Sequence, residues 1–385
     1  MSDALRHVDG AAIARDVSRL VRVPSVTGSE RAAAELVVAL AGELGLEGEL
    51  AEFDLAAMRA APGYPGEETA RTELVAAIVT LRGAHPGAPR VALNGHIDVV
   101  SPGTEPWQRD PWSGLIDGGR VHGRGAVDMK GGVIAALHAM AALRAAGEPP
   151  AGDVVLQAVP SEEDGGLGTF AALERDARFA AALIPEPTAL RIVCATAGAL
   201  TFTGTVRGRS AHAALRLEGV SAIDRYLPIH AALHEHERDV NARPRHPLLA
   251  AEPLPYPLLV GRLRAGRWSS QVPEELTFEG RLGVPVGQAL EESRADLERA
   301  VAAATDDQGP PVEITWSGGQ FAPGETALDD PWVALVQHAA AAELGARPPL
   351  VGVSYGADLR LFAARRIPCV LFGPSGIRYA HAVDE

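Results

Sequence analysis

Short apolar runs alternate with helical patterns along much of this chain, and acidic or imidazole side chains fall just past the ends of several runs. Those two observations predict an α/β protein with a central mixed sheet flanked by helices. A change of pattern after Ala197 predicts a second unit inserted into the first. The length, 385 residues, is more than one hydrophobic core usually organises.

Residues Ala11 to Arg22 and Glu30 to Leu44 carry apolar side chains at helical spacing, with Thr27 to Ser29 as candidate caps between them. Glu49 to Phe53, Glu73 to Leu81 and Arg90 to Leu93 read as strands, and Ala60 to Glu68, with its Pro and Gly, as a surface excursion. Gly131 to Arg144 is an Ala-rich helix stopped by Gly147 and Pro149-Pro150. Val154 to Val159 and Ala180 to Ile184 are buried strands that deliver Glu162, Glu163 and Glu186 past their C-terminal ends. The order then becomes strand (Ala199 to Arg207), helix (Val220 to Arg238), strands (Leu258 to Arg264 and Glu275 to Leu282), helix (Ala289 to Thr305) and strand (Val312 to Trp316). That β-α-β-β-α-β order is the split arrangement of a ferredoxin-like module. Pro331 to Leu344, Leu350 to Val353, Ala357 to Ala364 and Pro368 to Phe372 resume the first style. The expected division is 1–197 with 318–385, and 198–317 as the insertion.

Composition narrows the partners. A net charge of −14 argues against nucleic acid or an anionic membrane, both of which need a basic footprint. No stretch of ~20 apolar residues is expected to cross a bilayer, and Met1 to Gly10 lacks the basic start and apolar run of a secretory leader. Cys194 and Cys369 are too few for a disulfide framework, so a cytoplasmic location is expected. Lys130 is the single lysine among 35 basic residues, which suggests a point charge where a guanidinium would not fit.

Five patches carry chemistry: Gly95-His96-Ile97-Asp98, Gly125 to Gly132 around Asp128, Ser161-Glu162-Glu163, Pro185-Glu186-Pro187, and Ala380-His381. Positions i and i+2 of a strand face one side, so the Asp98 carboxylate is expected to accept the second N–H of the His96 imidazole. Asp128, just before a helix, can use both oxygens to bridge cations or can simply cap the helix. Adjacent Glu162 and Glu163 are costly unless a cation or shared proton relieves them, and a solvated acidic loop is the plainer alternative. Two prolines make Glu186 a rigid donor. His381 lies so near the end of the chain that fraying is expected unless other ligands hold it. Together the patches have what two adjacent divalent metals and a proton-transferring carboxylate require.

In this order Gly-His-Ile-Asp-Val-Val, Gly-Arg-Gly-x-x-Asp-Met-Lys-Gly-Gly, Glu-Glu, Glu-Pro-Thr and His-x-x-x-Glu resemble the acetylornithine deacetylase, succinyl-diaminopimelate desuccinylase and carboxypeptidase G family of di-zinc hydrolases, over nearly the whole chain. The resemblance implies two zinc ions, with cobalt or manganese as substitutes, bridged by Asp128. His96 and Glu186 would complete one shell, Glu163 and His381 the other. Asp98 would support His96, and Glu162 would be the general base. It also implies that the insertion is a lid and homodimerisation module. There His212 would reach the partner's site and polarise the scissile carbonyl, and Arg281 would bind a substrate carboxylate. Ser270-Gln271 stands where the family has an Asn before Val-Pro, among the expected substrate contacts. Members usually continue through another helix beyond the last motif, so either a shortened end or a poorly anchored His381 is expected. The expected substrate is a small N-acyl amino acid, with dipeptidase or carboxypeptidase activity as the alternative. Two other readings compete: a serine hydrolase using Ser354 of Gly352-Val353-Ser354-Tyr355-Gly356, with Asp358 and His381, and a non-catalytic binder of small acids. His230 and His234, four apart on one helix, and His236 and His246 are expected at the surface.

Overall fold

The computed structural model describes residues 3–243 and 245–385, so Met1 and Ser2 of the leader window lie outside it. In chain order the helices and strands are α1 (Gly10–Val21), α2 (Arg31–Glu43), β1 (Glu47–Glu52), α3 (Leu55–Ala60), β2 (Val75–Leu81), β3 (Val91–His96), β4 (Leu115–Asp117), β5 (Arg120–His122), α4 (Gly131–Ala145), β6 (Val154–Val159), α5 (Leu167–Arg175), β7 (Ala181–Ile184), β8 (Ile192–Thr196) and β9 (Gly198–Arg207). There follow α6 (Ala222–Ala242), β10 (Leu258–Ala265), β11 (Glu275–Val284), α7 (Leu290–Ala304), β12 (Glu313–Phe321), β13 (Gly324–Glu325), α8 (Pro331–Leu344), β14 (Leu350–Val353), α9 (Leu359–Ala363) and β15 (Cys369–Leu371). Two compact units result. One comprises Met1–Cys194, Glu325–Val351 and Ala357–Glu385; the other comprises Ala195–Gly324 and Gly352–Gly356.

In the first unit a mixed sheet runs β1-β2-β6-β3-β7-β15-β8-β13, with β14 beside β8. β3 is parallel to β6 and β7, and β15 is parallel to β7, whereas β1 and β2 are antiparallel to their neighbours. Helix α2 covers β1 and β2, α4 covers β3 and β6, and α5 lies against β6. Ala92, Leu156, Ala158 and Ala182 on the strands and Ile134 and Leu137 on α4 are fully buried. Each large aliphatic side chain so buried contributes roughly 1.5–3 kcal/mol. Parallel strands need crossovers, so their C-terminal ends all open on one edge.

The second unit has a four-stranded antiparallel sheet, β10-β11-β9-β12. Its core joins Leu200, Phe202 and Phe278 of the sheet to Tyr226, Ile229 and Leu233 of α6 and Leu297 and Val301 of α7.

Several expectations are corrected. Thr27 to Ser29 do not cap α2, whose N-cap is Glu30 without a side-chain bond; the Thr27 hydroxyl donates to Asp98 at 3.0 Å instead. His236 is buried, because it shares the inward stripe of α6 with Ile229, Leu233 and Val240. Residues Ala126–Ala145 are long and apolar enough to cross a membrane by composition alone, but 61% of that window is buried, as in a core helix. Helices α3 and α5, the β4–β5 hairpin and β8 are additions to the elements expected from the sequence. α3 buries no side chain, so the Asp54 cap carries it without an apolar stripe. α5 begins at Gly166 in a left-handed turn, which reads as loop.

Candidate metal centre

Three of the five patches sit at the C-terminal ends of parallel strands. His96 closes β3, the Glu162-Glu163 turn follows β6, and Glu186 follows β7. Asp128 lies in the 126–130 turn that leads into α4, and its peptide bond to Met129 is cis. That turn sits directly on the Glu186 segment: a Cβ at Gly132 would collide with the Pro185 carbonyl oxygen. The motif therefore needs glycine there, since no larger residue permits so close an approach.

Around Asp128 the geometry is two-sided. Its Oδ1 lies 3.1 Å from His96 Nε2, and its Oδ2 lies 3.6 Å from His381 Nε2. Glu186 Oε1 is 4.0 Å from His96 Nε2, and both Glu163 oxygens are 3.1 Å from His381 Nε2. Donor atoms of His96, Asp128 and Glu186 converge within 4.8 Å of one another, as do those of Asp128, Glu163 and His381. Burial pushes the Glu186 and Glu163 carboxyls upward, Glu186 well above the usual range. Burial would lower His96, but the hydrogen bond to Asp128 and the charges of Glu186, Asp128 and Asp98 outweigh it and hold the imidazole well above its ordinary value. The hydrogen bond to Glu163 raises His381. Three carboxylates thus face two imidazoles in a field that favours added positive charge. Imidazole and carboxylate donors in this number suit a borderline dication such as zinc, so the residues fit a metal.

Glu162 stands apart from both clusters of donors. It is 9% exposed, and its carboxylate takes no hydrogen bond from the protein among the described residues. Burial first, then the charge of Asp358, pushes it well above the usual carboxylate range. A carboxyl in that state can take up a proton and release it.

Asp98 is not placed as expected. The His96 Nδ1 is 2.9 Å from the Asp98 backbone carbonyl, and the Asp98 carboxylate is farther, at 3.6 Å. That carboxylate accepts the backbone N–H groups of Glu162 (3.1 Å) and Glu163 (3.2 Å). It therefore orients His96 through its carbonyl and holds the Glu162-Glu163 turn through its side chain. The reason is that Asp98 lies beyond the last residue of β3, where the alternation of faces no longer applies.

Side chains outside the five patches also support the site. Arg71, its side chain fully buried, bridges Asp164 (3.1 Å) and Glu30 (3.2 Å), and Asp164 also binds Ser161, whose φ is +68°. Arg360 donates to Gly165 O at 2.6 Å. Lone arginines at scattered positions carry no sequence signal. Lys130 did carry one. The side chain is fully buried, and its Nζ donates to the carbonyls of Leu20 (3.1 Å) and Val23 (2.9 Å) at the C-terminal end of α1, where a compact cation is favoured. Nor is His381 loose: Arg124 donates to its carbonyl at 3.3 Å, and Glu385 beyond it is buried.

In the second unit His212, Ser270 and Gln271 are brought together. His212 bridges to Gln271, Ala213 N donates to Ser270 O at 3.0 Å, and Gln271 Nε2 donates to Ser210 Oγ. His212 is exposed and its Nδ1 accepts the Ala214 N–H at 3.1 Å. Arg281 is exposed on β11, opposite Thr201 and Leu259. Ser354 donates to no imidazole among the described residues, and the His381 Nε2 is engaged with Glu163, so the serine reading lacks its base.

Two groups of donors that share one carboxylate, beside an uncommitted buried glutamate, define a metal-dependent hydrolase. Residues 92–385 match the model of peptidase family M20/M25/M40. The succinyl-diaminopimelate desuccinylase of Methylobacterium nodulans is 31% identical over 95% of this chain and 89% of its own. Against the desuccinylase of Methylobacterium sp. strain 4-46 the identity is 36%, over 208 residues, and the chain spans about half (48%) of that relative. A Bacillus subtilis N-formyl-4-amino-5-aminomethyl-2-methylpyrimidine deformylase is 27% identical, over 76% of this chain and 74% of its own. Among solved structures, a dinuclear metal-binding peptidase of the M20 family from Bacillus subtilis superposes with a TM-score of 0.63 at 16% identity, covering 94% of this chain and 88% of that one, a likeness of fold. The chain belongs to peptidase family M20/M25/M40. It is a metal-dependent enzyme that hydrolyses amide bonds.

Proposed function

We propose that the protein binds two zinc ions and removes the acyl group from a small N-acyl amino acid. The observation that carries this reading is Asp128, whose two oxygens face different imidazoles, while the Glu162 carboxylate accepts no hydrogen bond among the described residues. His96, Asp128 and Glu186 would hold one ion, and Asp128, Glu163 and His381 the other. When bound, such ions supply Lewis acidity and make water ionise near neutral pH. Glu162 takes the proton of the attacking water on its carboxylate and delivers it to the nitrogen of the departing amine. Asp98 keeps Glu162 in place through the backbone.

In the second unit, acceptance of the Ala214 N–H at His212 Nδ1 leaves the proton on Nε2, so His212 is poised to donate to a carbonyl oxygen. On this proposal the unit of β-α-β-β-α-β order is a ferredoxin-like lid and homodimer module, spanning about 198–317, and His212 serves the partner's site. Arg281, Ser270 and Gln271 would contact substrate. The buried, free Cys194 and Cys369 support a cytoplasmic setting. Relatives named desuccinylase and deformylase favour deacylation over peptide cleavage.

A screen of N-formyl, N-acetyl and N-succinyl amino acids beside dipeptides tests the reading, combined with metal analysis and chelation. N-acyl hydrolysis with two zinc ions per chain, lost on chelation and restored by zinc, is expected. Full activity after metal removal would overturn it, as would cleavage of dipeptides alone.

A further inference from the structure

The last residues of the chain form a clasp on the turn that carries Asp128. The Glu385 side chain is buried, 1% exposed, and its carboxylate meets three donors. Arg124 Nη1 lies 2.6 Å from Oε2, and the backbone N–H groups of Val127 and Asp128 donate to Oε1 at 2.9 and 3.1 Å. The Glu385 carbonyl accepts the Gly123 N–H at 2.8 Å, so the turn is gripped at both its start and Asp128. Arg124 also donates to the carbonyl of His381 and lies over the Trp107 ring, 5.0 Å from its centroid. Asp384 accepts the Gln108 N–H at 2.8 Å on the neighbouring loop. One short segment thereby binds both the Asp128 turn and the loop at Gln108, and one arginine joins the Asp128 turn to the His381 backbone.

We propose that Glu385 is a positioning residue that holds Asp128 between His96 and His381 before any cation arrives. The proposal rests on the two-metal reading above. Asp128 (φ −119°, ψ 98°) and Met129 (φ −128°, ψ 32°) both have non-helical backbone angles, so no regular helix fixes the direction of Asp128. The two backbone N–H groups bound by Glu385 belong to buried Asp128 and half-buried Val127, and without this acceptor the Asp128 N–H would lose its partner inside the protein. A carboxylate satisfies both at once and neutralises Arg124. His96 and Glu186 stand on strand ends and need no such support. His381 and Asp128 lie on loops, so their shared ion should depend on Glu385 most. Groups that orient metal ligands typically contribute about 10- to 100-fold in metal affinity.

The test is calorimetric titration of chelator-treated protein with zinc alone, for wild type, Glu385→Ala and Glu385→Gln, far below each variant's melting temperature. Wild type should take up two ions. Glu385→Ala should bind the weaker ion about 10- to 100-fold less tightly and the tighter ion with a smaller loss. Glu385→Gln keeps an oxygen acceptor for the two backbone N–H groups while losing the charge for Arg124, so it should fall between the two. A residue of merely structural importance would lower the melting temperature of the metal-free protein and leave both affinities unchanged. Wild-type affinities for both ions in Glu385→Ala overturn the proposal; if that variant does not fold, wild-type affinities in Glu385→Gln do so. Uptake of fewer than two ions by wild type overturns the two-metal reading and this proposal with it.

Discussion

Replacing Glu162 by Gln exchanges one carboxylate oxygen for an NH2 group at a site that is 9% exposed and leaves all five candidate metal donors untouched. An amide cannot accept the proton of the attacking water. Positioned general bases contribute about 10² to 10⁴ in rate, or roughly 2.7–5.5 kcal/mol of barrier. The loss should appear in kcat, with metal content intact. The structure adds a second expectation. In the metal-free protein the Glu162 carboxyl is raised well above its usual range, first by burial and then by the neighbouring charge of Asp358. A neutral amide of the same shape escapes both penalties, so the metal-free variant should melt at the same temperature as wild type or higher. Single-turnover and steady-state hydrolysis of the best substrate from the screen, elemental analysis and calorimetry measure all three quantities. A kcat within tenfold of wild type at full metal loading would refute the role. A fall in metal content that matches the fall in rate would show instead that Glu162 acts by holding an ion.

Further expectations concern the frame of the site. Arg71→Met leaves Glu30 and Asp164 buried without their cation, and breaking such a pair from one side costs about 3–5 kcal/mol; a loss under about 1 kcal/mol in denaturant titration would contradict this. Asp176 is held below the usual carboxylate range by the Arg178 hydrogen bond, with Arg90 at 2.7 Å adding to it. Its contribution is therefore fully present above the unfolded value near pH 4 and is lost as pH falls through the folded value. Asp176→Asn should accordingly be less stable than wild type at neutral pH, with the gap closing toward strong acid; a constant gap would contradict the assignment. Zinc at about 1,000 times its dissociation constant should stabilise the chelated protein by about 4 kcal/mol per site, read as a concentration-dependent rise in melting temperature that a metal-insensitive fold would not give.

Much of the centre was legible in the sequence, and the reason is chemical. Metal ligation requires imidazole and carboxylate side chains, and rigid placement favours the ends of strands. His96, Glu163 and Glu186 therefore betray themselves by residue type and by the apolar runs that precede them. The surrounding frame was less visible. Arg71 and Arg360 are ordinary arginines until the fold brings them to Asp164 and Gly165. Glu385 ends the His-x-x-x-Glu motif, yet nothing in the order of residues reveals that its carboxylate binds the Asp128 turn.

From the sequence alone came the family and the candidate donors and base, because these depend on which side chains occur in its motifs and, for His96, Glu163 and Glu186, at strand ends. Tertiary structure decided what each of them faces. It sent the second nitrogen of His96 to the Asp98 carbonyl and the Asp98 carboxylate to the Glu162-Glu163 turn. It also turned one oxygen of Asp128 toward each imidazole and anchored His381, which sequence position alone marked as loose. Most of these choices depend on contacts between residues far apart in the chain, as many as 257 positions for Arg124 and the His381 carbonyl. No local pattern can specify partners at that separation; only the packed chain brings them within reach.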